Sequence, residues 1–226
     1  MFKQILLGAM MLVSVSAFAQ EQNQPAADVD AKATSDVAQQ LALANQLVKY
    51  GYDTKTALPL IQAVQIYKKL NVTTEAREKA SEGDAKQPDN ITKTDVVSFD
   101  EAKILEDATT FAAGDKNLLA LINDAKKASR SPVNGVIRHS DRVNAGCTDI
   151  YTVRCRGGES TTVIVSGDGD TDLDLYVYDE NGNLITYDND GSDDCVVSFN
   201  PRWTGPFRIK IKNLGRVYNR YNMLIF

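Results

Sequence analysis

Aspartate stands at every second position from Asp168 to Asp174: Asp168, Asp170, Asp172 and Asp174. On a β-strand that period puts the side chains on one face, where like charges repel. A hard cation relieves such crowding, since Ca2+ takes about six to eight oxygens from carboxylates and carbonyls. A second acidic turn, Asp188-Asn189-Asp190-Gly191-Ser192-Asp193-Asp194, offers oxygens to complete a shell. Neither stretch is an EF-hand: Leu173 stands where a loop beginning at Asp168 needs glycine, and its twelfth position is not glutamate. A solvated acidic rim without an ion is the competing reading.

Charge is separated along this half of the chain. Glu159 to Asp194 holds 11 acidic and no basic residues, whereas Arg202 to Arg220 holds six basic and no acidic ones. Arg208, Lys210 and Lys212 alternate with Ile209 and Ile211, which marks the solvent side of a strand placed to meet the acidic ones. Catalytic constellations are scarce. His139-Ser140-Asp141 contains the three residue types of a nucleophilic triad, but such triads assemble from distant segments, and His139 is the single histidine. No catalytic residue is assigned. Trp203 reads as a core anchor at a strand entrance, with an exposed binding platform as the alternative.

The cysteines are Cys147, Cys155 and Cys195. A continuous strand between Cys147 and Cys155 holds them beyond the roughly 7 Å Cα separation that a disulfide spans. Cys155 shares parity with Tyr151 and Val153, and Cys195 with Val197 and Phe199. Both therefore point into one core, and Cys155–Cys195 is the favoured bridge, with free buried thiols as the alternative.

These residues need elements to hold them. A chain of 226 residues, 43% hydrophobic and 24% charged, is of ordinary globular composition. A formal charge of −5 gives no general attraction to nucleic acid. Lys3, the apolar run Ile5–Val13 and Ala17-Phe18-Ala19 form a cleavable signal peptide over residues 1–19. The mature chain then carries no transmembrane segment. Export from a bacterial cell, to the periplasm or beyond, is the expected location.

Residues 20–35 read as a flexible N-terminus and 36–128 as a small all-α domain. Val37, Leu41, Ala44 and Val48 form one helical stripe, with Gly51 as its stop; Leu60, Val64 and Tyr67 form a second. Residues 71–97 read as loop. Ser98 and Glu101 suggest a capping box ahead of a third helix, and a fourth carries Leu118, Leu119, Ile122 and Ala125. Residues 129–140 form a linker. Beyond it the period becomes two, and seven short strands follow over 141–226, with Asn181-Gly182 as a hairpin turn. The expected fold is α+β in two domains: helices, then an antiparallel β-sandwich or jelly roll.

Residues 135–226 resemble the bacterial pre-peptidase C-terminal domain. The resemblance rests on Asp172-Leu173-Asp174-Leu175-Tyr176-Val177-Tyr178, Asn181-Gly182, Asp188-Asn189-Asp190 and Trp203-Thr204-Gly205. It implies a secreted, non-catalytic β-sandwich associated with calcium, secretion or substrate attachment. By resemblance, Asp170, Asp172, Asp174, Asp188 and Asp190 are the metal candidates, with calcium as the ion. Members are usually appended to proteases, whereas here about 110 helically patterned residues precede the module. The expected function is that of an exported, non-enzymatic accessory protein that binds an extracellular or envelope protein or glycan. Alternatives are a structural or chaperone-like envelope protein and, less favoured, a small metal-dependent hydrolase.

Overall fold

The computed structural model of the protein describes residues 21–23, 36–85, 98–128 and 136–226. The expected signal peptide, most of the expected flexible N-terminus and linker residues 129–135 lie outside them. So does 86–97 of the expected loop. Among the described residues no helix is long and apolar enough to cross a membrane.

Among the described residues four helices come first: α1 (Asp36–Thr54), α2 (Ala57–Lys69), α3 (Glu101–Phe111) and α4 (Lys116–Lys127). The stripe of α1 buries Ala38, Leu41, Ala44 and Val48 against Leu60, Ile61, Val64 and Tyr67 of α2. Gly51 does not stop α1. It lies inside the helix, where a Cβ would come within 2.6 Å of Leu60, so its role is close helix approach. Nor does Ser98 cap α3; Asp100 does, accepting from Lys103 N–H at 2.9 Å, while Asp115 caps α4.

Among the described residues, ten strands form two five-stranded sheets. They are β1 (Thr73–Thr74), β2 (Ala80–Glu82), β3 (Ile137–Val143), β4 (Thr148–Cys155), β5 (Thr161–Ser166), β6 (Leu173–Tyr178), β7 (Leu184–Asp188), β8 (Asp194–Phe199), β9 (Gly205–Asn213) and β10 (Asn219–Ile225). Sheet A runs β1-β3-β10-β5-β8 and sheet B runs β2-β4-β9-β6-β7. Between them lies an apolar core that includes Tyr151, Val163, Leu175, Phe199, Phe207, Ile209 and Met223. The protein is thus α+β with a β-sandwich. Two expectations need correction. Residues 73–82 are not all loop but supply a strand to each sheet, and β3 begins inside the stretch read as linker. Periodicity has no purchase on strands of two or three residues, which owe their place to β3 and β4.

The helices rest on the outer face of sheet A. Ile164 and Leu224 point away from the sandwich core, yet they are 2% and 0% exposed because they belong to the helical core. Val196 and Phe226 pack against the same cluster. Lys49 of α1 adds a polar clasp, with its ammonium 3.1 Å from Asp193 and 2.9 Å from Asp194.

The Cys155–Cys195 bridge is not made, and all three cysteines are free and buried. Parity places both thiols in the core but says nothing of position along the strands. Cys155 sits opposite Gly205 at one end of β9, whereas the Cys195 thiol donates to Leu173, which faces Asn213 at the other. About eight strand residues, roughly 27 Å, separate the two ends. Burial raises the pKa of both thiols, and carboxylates led by Asp188 and Asp190 raise that of Cys195 further.

Because the helices and sheet A share one core, Ile164→Ala is expected to cost about 2–5 kcal/mol. Far-UV circular dichroism and Trp203 fluorescence should then report one coincident, earlier transition; separate transitions would show independent folding units.

Candidate functional site

The acidic stretches meet at one end of the sandwich. Asp174 alone of the first series lies in a strand, since β6 starts at Leu173. Gly167 and Gly169 turn the preceding loop: Gly169 has φ +92°, and a Cβ at Gly167 would overlap Asp193 and Asn219. The same-face argument therefore fails for Asp168, Asp170 and Asp172, which precede the strand; of these, Asp172 lies near Asp174, Asp190 and Asp193.

The metal candidates divide. Asp172 is the focus: its Oδ1 is buried with no hydrogen-bond partner, and its pKa is raised by burial and by the charges of Asp174, Asp190 and Asp193. Asp174 is buried and accepts from Tyr176 Oη at 3.0 Å. Asp190 accepts from Ser192 N–H at 2.9 Å, and hydrogen bonds to Ser192 hold its pKa down. Asp170 is exposed. Asp188 gives one oxygen to Val196 N–H at 2.8 Å. Among the described residues no three carboxylates, thiols or imidazoles converge as a ready metal shell. Asp193 and Asp194 already face Lys49.

A second polar cluster had no sequence signal. Asp149 is 2% exposed and accepts from Lys79 Nζ at 2.8 Å, Ser81 Oγ at 2.7 Å and Tyr221 Oη at 2.9 Å. Lys79 also reaches Asp141 at 2.9 Å, and the Tyr151 and Tyr221 hydroxyls share a short hydrogen bond. His139 packs edge-on against Tyr151, its Nε2 3.5 Å from Asp141. Ser140 lies on the other face of β3, bonded to Asn222, so His139-Ser140-Asp141 forms no triad. The cluster fastens the β1–β2 segment across the side of the sandwich. Its members lie about seventy residues apart in sequence, which hides them from any local pattern.

Among the described residues much of the outer face of sheet B is exposed, including Thr152, Arg154, Tyr187, Arg208 and Lys212. Strand register sets Tyr176 beside both Lys210 and Tyr187, Tyr178 beside Arg208, and Asp174 beside Lys212. Tyr176 and Tyr187 stack with centroids 6.1 Å apart, and Lys210 Nζ lies 5.6 Å over the Tyr178 ring. Tyr187 is 54% and Leu184 40% exposed. The basic run of β9 does face solvent, but it meets tyrosines as well as Asp174. The signal was the alternation Asp174, Tyr176, Tyr178 against Leu173, Leu175, Val177.

No family model and no curated protein matches the chain. Among solved structures it is similar to the pre-peptidase C-terminal domain of a collagenase from Bacillus anthracis, with 16% identity and a TM-score of 0.31, over 41% of this chain and 89% of that one. It is also similar to Aeromonas hydrophila PliG, a periplasmic inhibitor of g-type lysozyme, with 13% identity and a TM-score of 0.32, over 43% and 90%. The Yersinia pseudotuberculosis-derived mitogen matches at 13% identity and a TM-score of 0.32, over 41% and 86%.

Two stability effects follow. Lys79→Met strands the buried Asp149 carboxylate and is expected to cost about 3–5 kcal/mol by urea unfolding, with Lys79→Met/Asp149→Asn recovering part of the loss. Asp172→Asn acts oppositely. A folded pKa above the unfolded value of about 4 means that ionised Asp172 destabilises at neutral pH. The variant should unfold at a higher temperature than the parent at pH 7 without divalent cations. That gain should vanish as pH falls below about 4, where Asp172 is protonated in both states.

Proposed function

We propose that this is an exported, non-catalytic accessory protein that binds an anionic component of the cell envelope, glycan or protein, through the outer face of sheet B. The observation that carries this reading is the contrast between the two outer faces. On sheet A, Thr162, Ile164, Ser166, Asn222 and Leu224 are buried, whereas on sheet B, Thr152, Arg154, Arg208, Lys212 and Tyr187 are exposed. Tyr176 beside Lys210, Tyr178 beside Arg208 and Tyr187 stacked on Tyr176 suit such a ligand: rings stack on apolar faces, and the cations pair with carboxylate or phosphate groups.

Sedimentation of the mature protein with isolated envelope material tests the reading. Binding should weaken with rising salt, because surface charge pairs are screened. Tyr176→Ala/Tyr187→Ala and Lys210→Glu should each weaken it at least tenfold. Salt-insensitive binding that survives both variants would contradict it.

The reading includes a calcium-responsive rim at Asp172, Asp174 and Asp190, where an ion would neutralise the charges crowding Asp172. Saturating calcium at about 100 times Kd adds about 2.7 kcal/mol of stability. For a chain of this size that is about 5–10 °C in the unfolding midpoint. Asp172→Asn should abolish the shift; no shift in the parent protein would make the rim ion-free.

A further inference from the structure

Residues 21–23 lie in a slot at the end of the sandwich away from Cys195. One wall is the β6–β7 turn, Asp179 to Leu184, and the other is Arg202-Trp203 ahead of β9. Asn23 is fully buried. Its main-chain N–H donates to Asp179 Oδ2 at 2.9 Å. Its carboxamide nitrogen donates to the Trp203 carbonyl at 3.1 Å and to Glu180 at 3.2 Å, while its carboxamide oxygen accepts from Trp203 N–H at 3.0 Å. The side chain thus pairs with the Trp203 backbone through a donor and an acceptor at once. Aspartate lacks that donor, alanine lacks both groups, and glutamine carries its amide one methylene too far.

The two preceding residues are held as well. Glu21 Oε1 meets Arg202 Nη1 at 2.6 Å, and the Glu21 carbonyl accepts from Asn181 Nδ2 at 3.0 Å. Gln22 turns to the other wall and donates to the Leu184 carbonyl at 2.8 Å. This alternation is that of an extended segment. The slot also has internal order: Asp179 Oδ1 accepts from the N–H groups of Asn181 at 3.0 Å and Asn183 at 2.8 Å, and Trp203 Nε1 donates to Glu180. A Cβ at Gly205 would press on Glu180 and the Asn23 amide at 3.1–3.3 Å, so glycine keeps the floor low. Burial opposes the Asp179 charge, but its hydrogen bonds from Asn23, Asn183 and Asn181 hold its pKa down.

We propose that this slot is a peptide-binding site selective for an extended Glu-x-Asn segment, and that the chain's own residues 21–23 fill it and close it to outside peptides. It lies beyond the open face of sheet B, so either reading can fail without the other.

The test uses the full mature chain and a capped peptide of residues 20–24, with fluorescence of Trp203, the single tryptophan, as readout. Asn23→Ala and Asn23→Asp withdraw the internal segment, and far-UV circular dichroism confirms their fold. Both variants should bind the peptide saturably, with an emission shift, while the parent protein binds at least tenfold more weakly. A peptide with alanine for asparagine should lose at least tenfold on the variants, as should the original peptide on Asn23→Ala/Arg202→Glu. Absence of saturable binding to both folded variants would overturn the proposal. So would equal binding by parent and variants, or indifference to the asparagine.

Discussion

The middle strands of sheet A, β5 and β10, are largely buried on both faces, and this constraint organises the molecule. Thr161 to Ser166 is buried at every position, as in strands covered above and below. One set of side chains, Val163 and Val165, enters the sandwich core, and the other, led by Ile164, needs a second cover. The four helices provide it, at about 1.5–3 kcal/mol for each large aliphatic side chain removed from water. The helical half and the sandwich are therefore coupled through Ile164, Leu224 and Val196.

Charge reinforces that arrangement at two places. Lys49 joins α1 to the acidic loops through Asp193 and Asp194, and Lys79 joins the β1–β2 segment to the buried Asp149. In both, a lysine from the first half of the chain answers aspartates from the second. Asp141 shows the same economy: burial opposes its charge, yet Lys79 and the Arg142 N–H bring its pKa below the usual value. Its contribution to stability is present above the unfolded carboxylate pKa and is lost as pH falls through the lower folded value. Asp172 has the opposite sign, crowded by three like charges.

Much of this was legible in the chain. The seven strands from Thr148 onward, the helical stripes and the hairpin at Asn181-Gly182 follow from periods of two and 3.6 and from turn chemistry. The legible part of the candidate site was the alternation of basic residues on β9. What escaped depended on partners far away. β1 and β2 exist because β3 and β4 offer unpaired edges, and Asp149 is buried because Lys79 and Ser81 reach it. Parity placed Cys155 and Cys195 in one core but could not tell the two ends of the sandwich apart. The aspartate ladder misled because Gly167 and Gly169 make a loop where a strand was expected.

Function turns on which face of the sandwich meets a partner. Amide hydrogen exchange of the mature protein, free and bound to envelope material, tests this most directly. The account expects added protection along β6, β7 and β9, around Tyr176, Tyr187 and Lys210, with the helices unchanged. Protection confined to α1–α4, with sheet B exchanging as in the free protein, would contradict it.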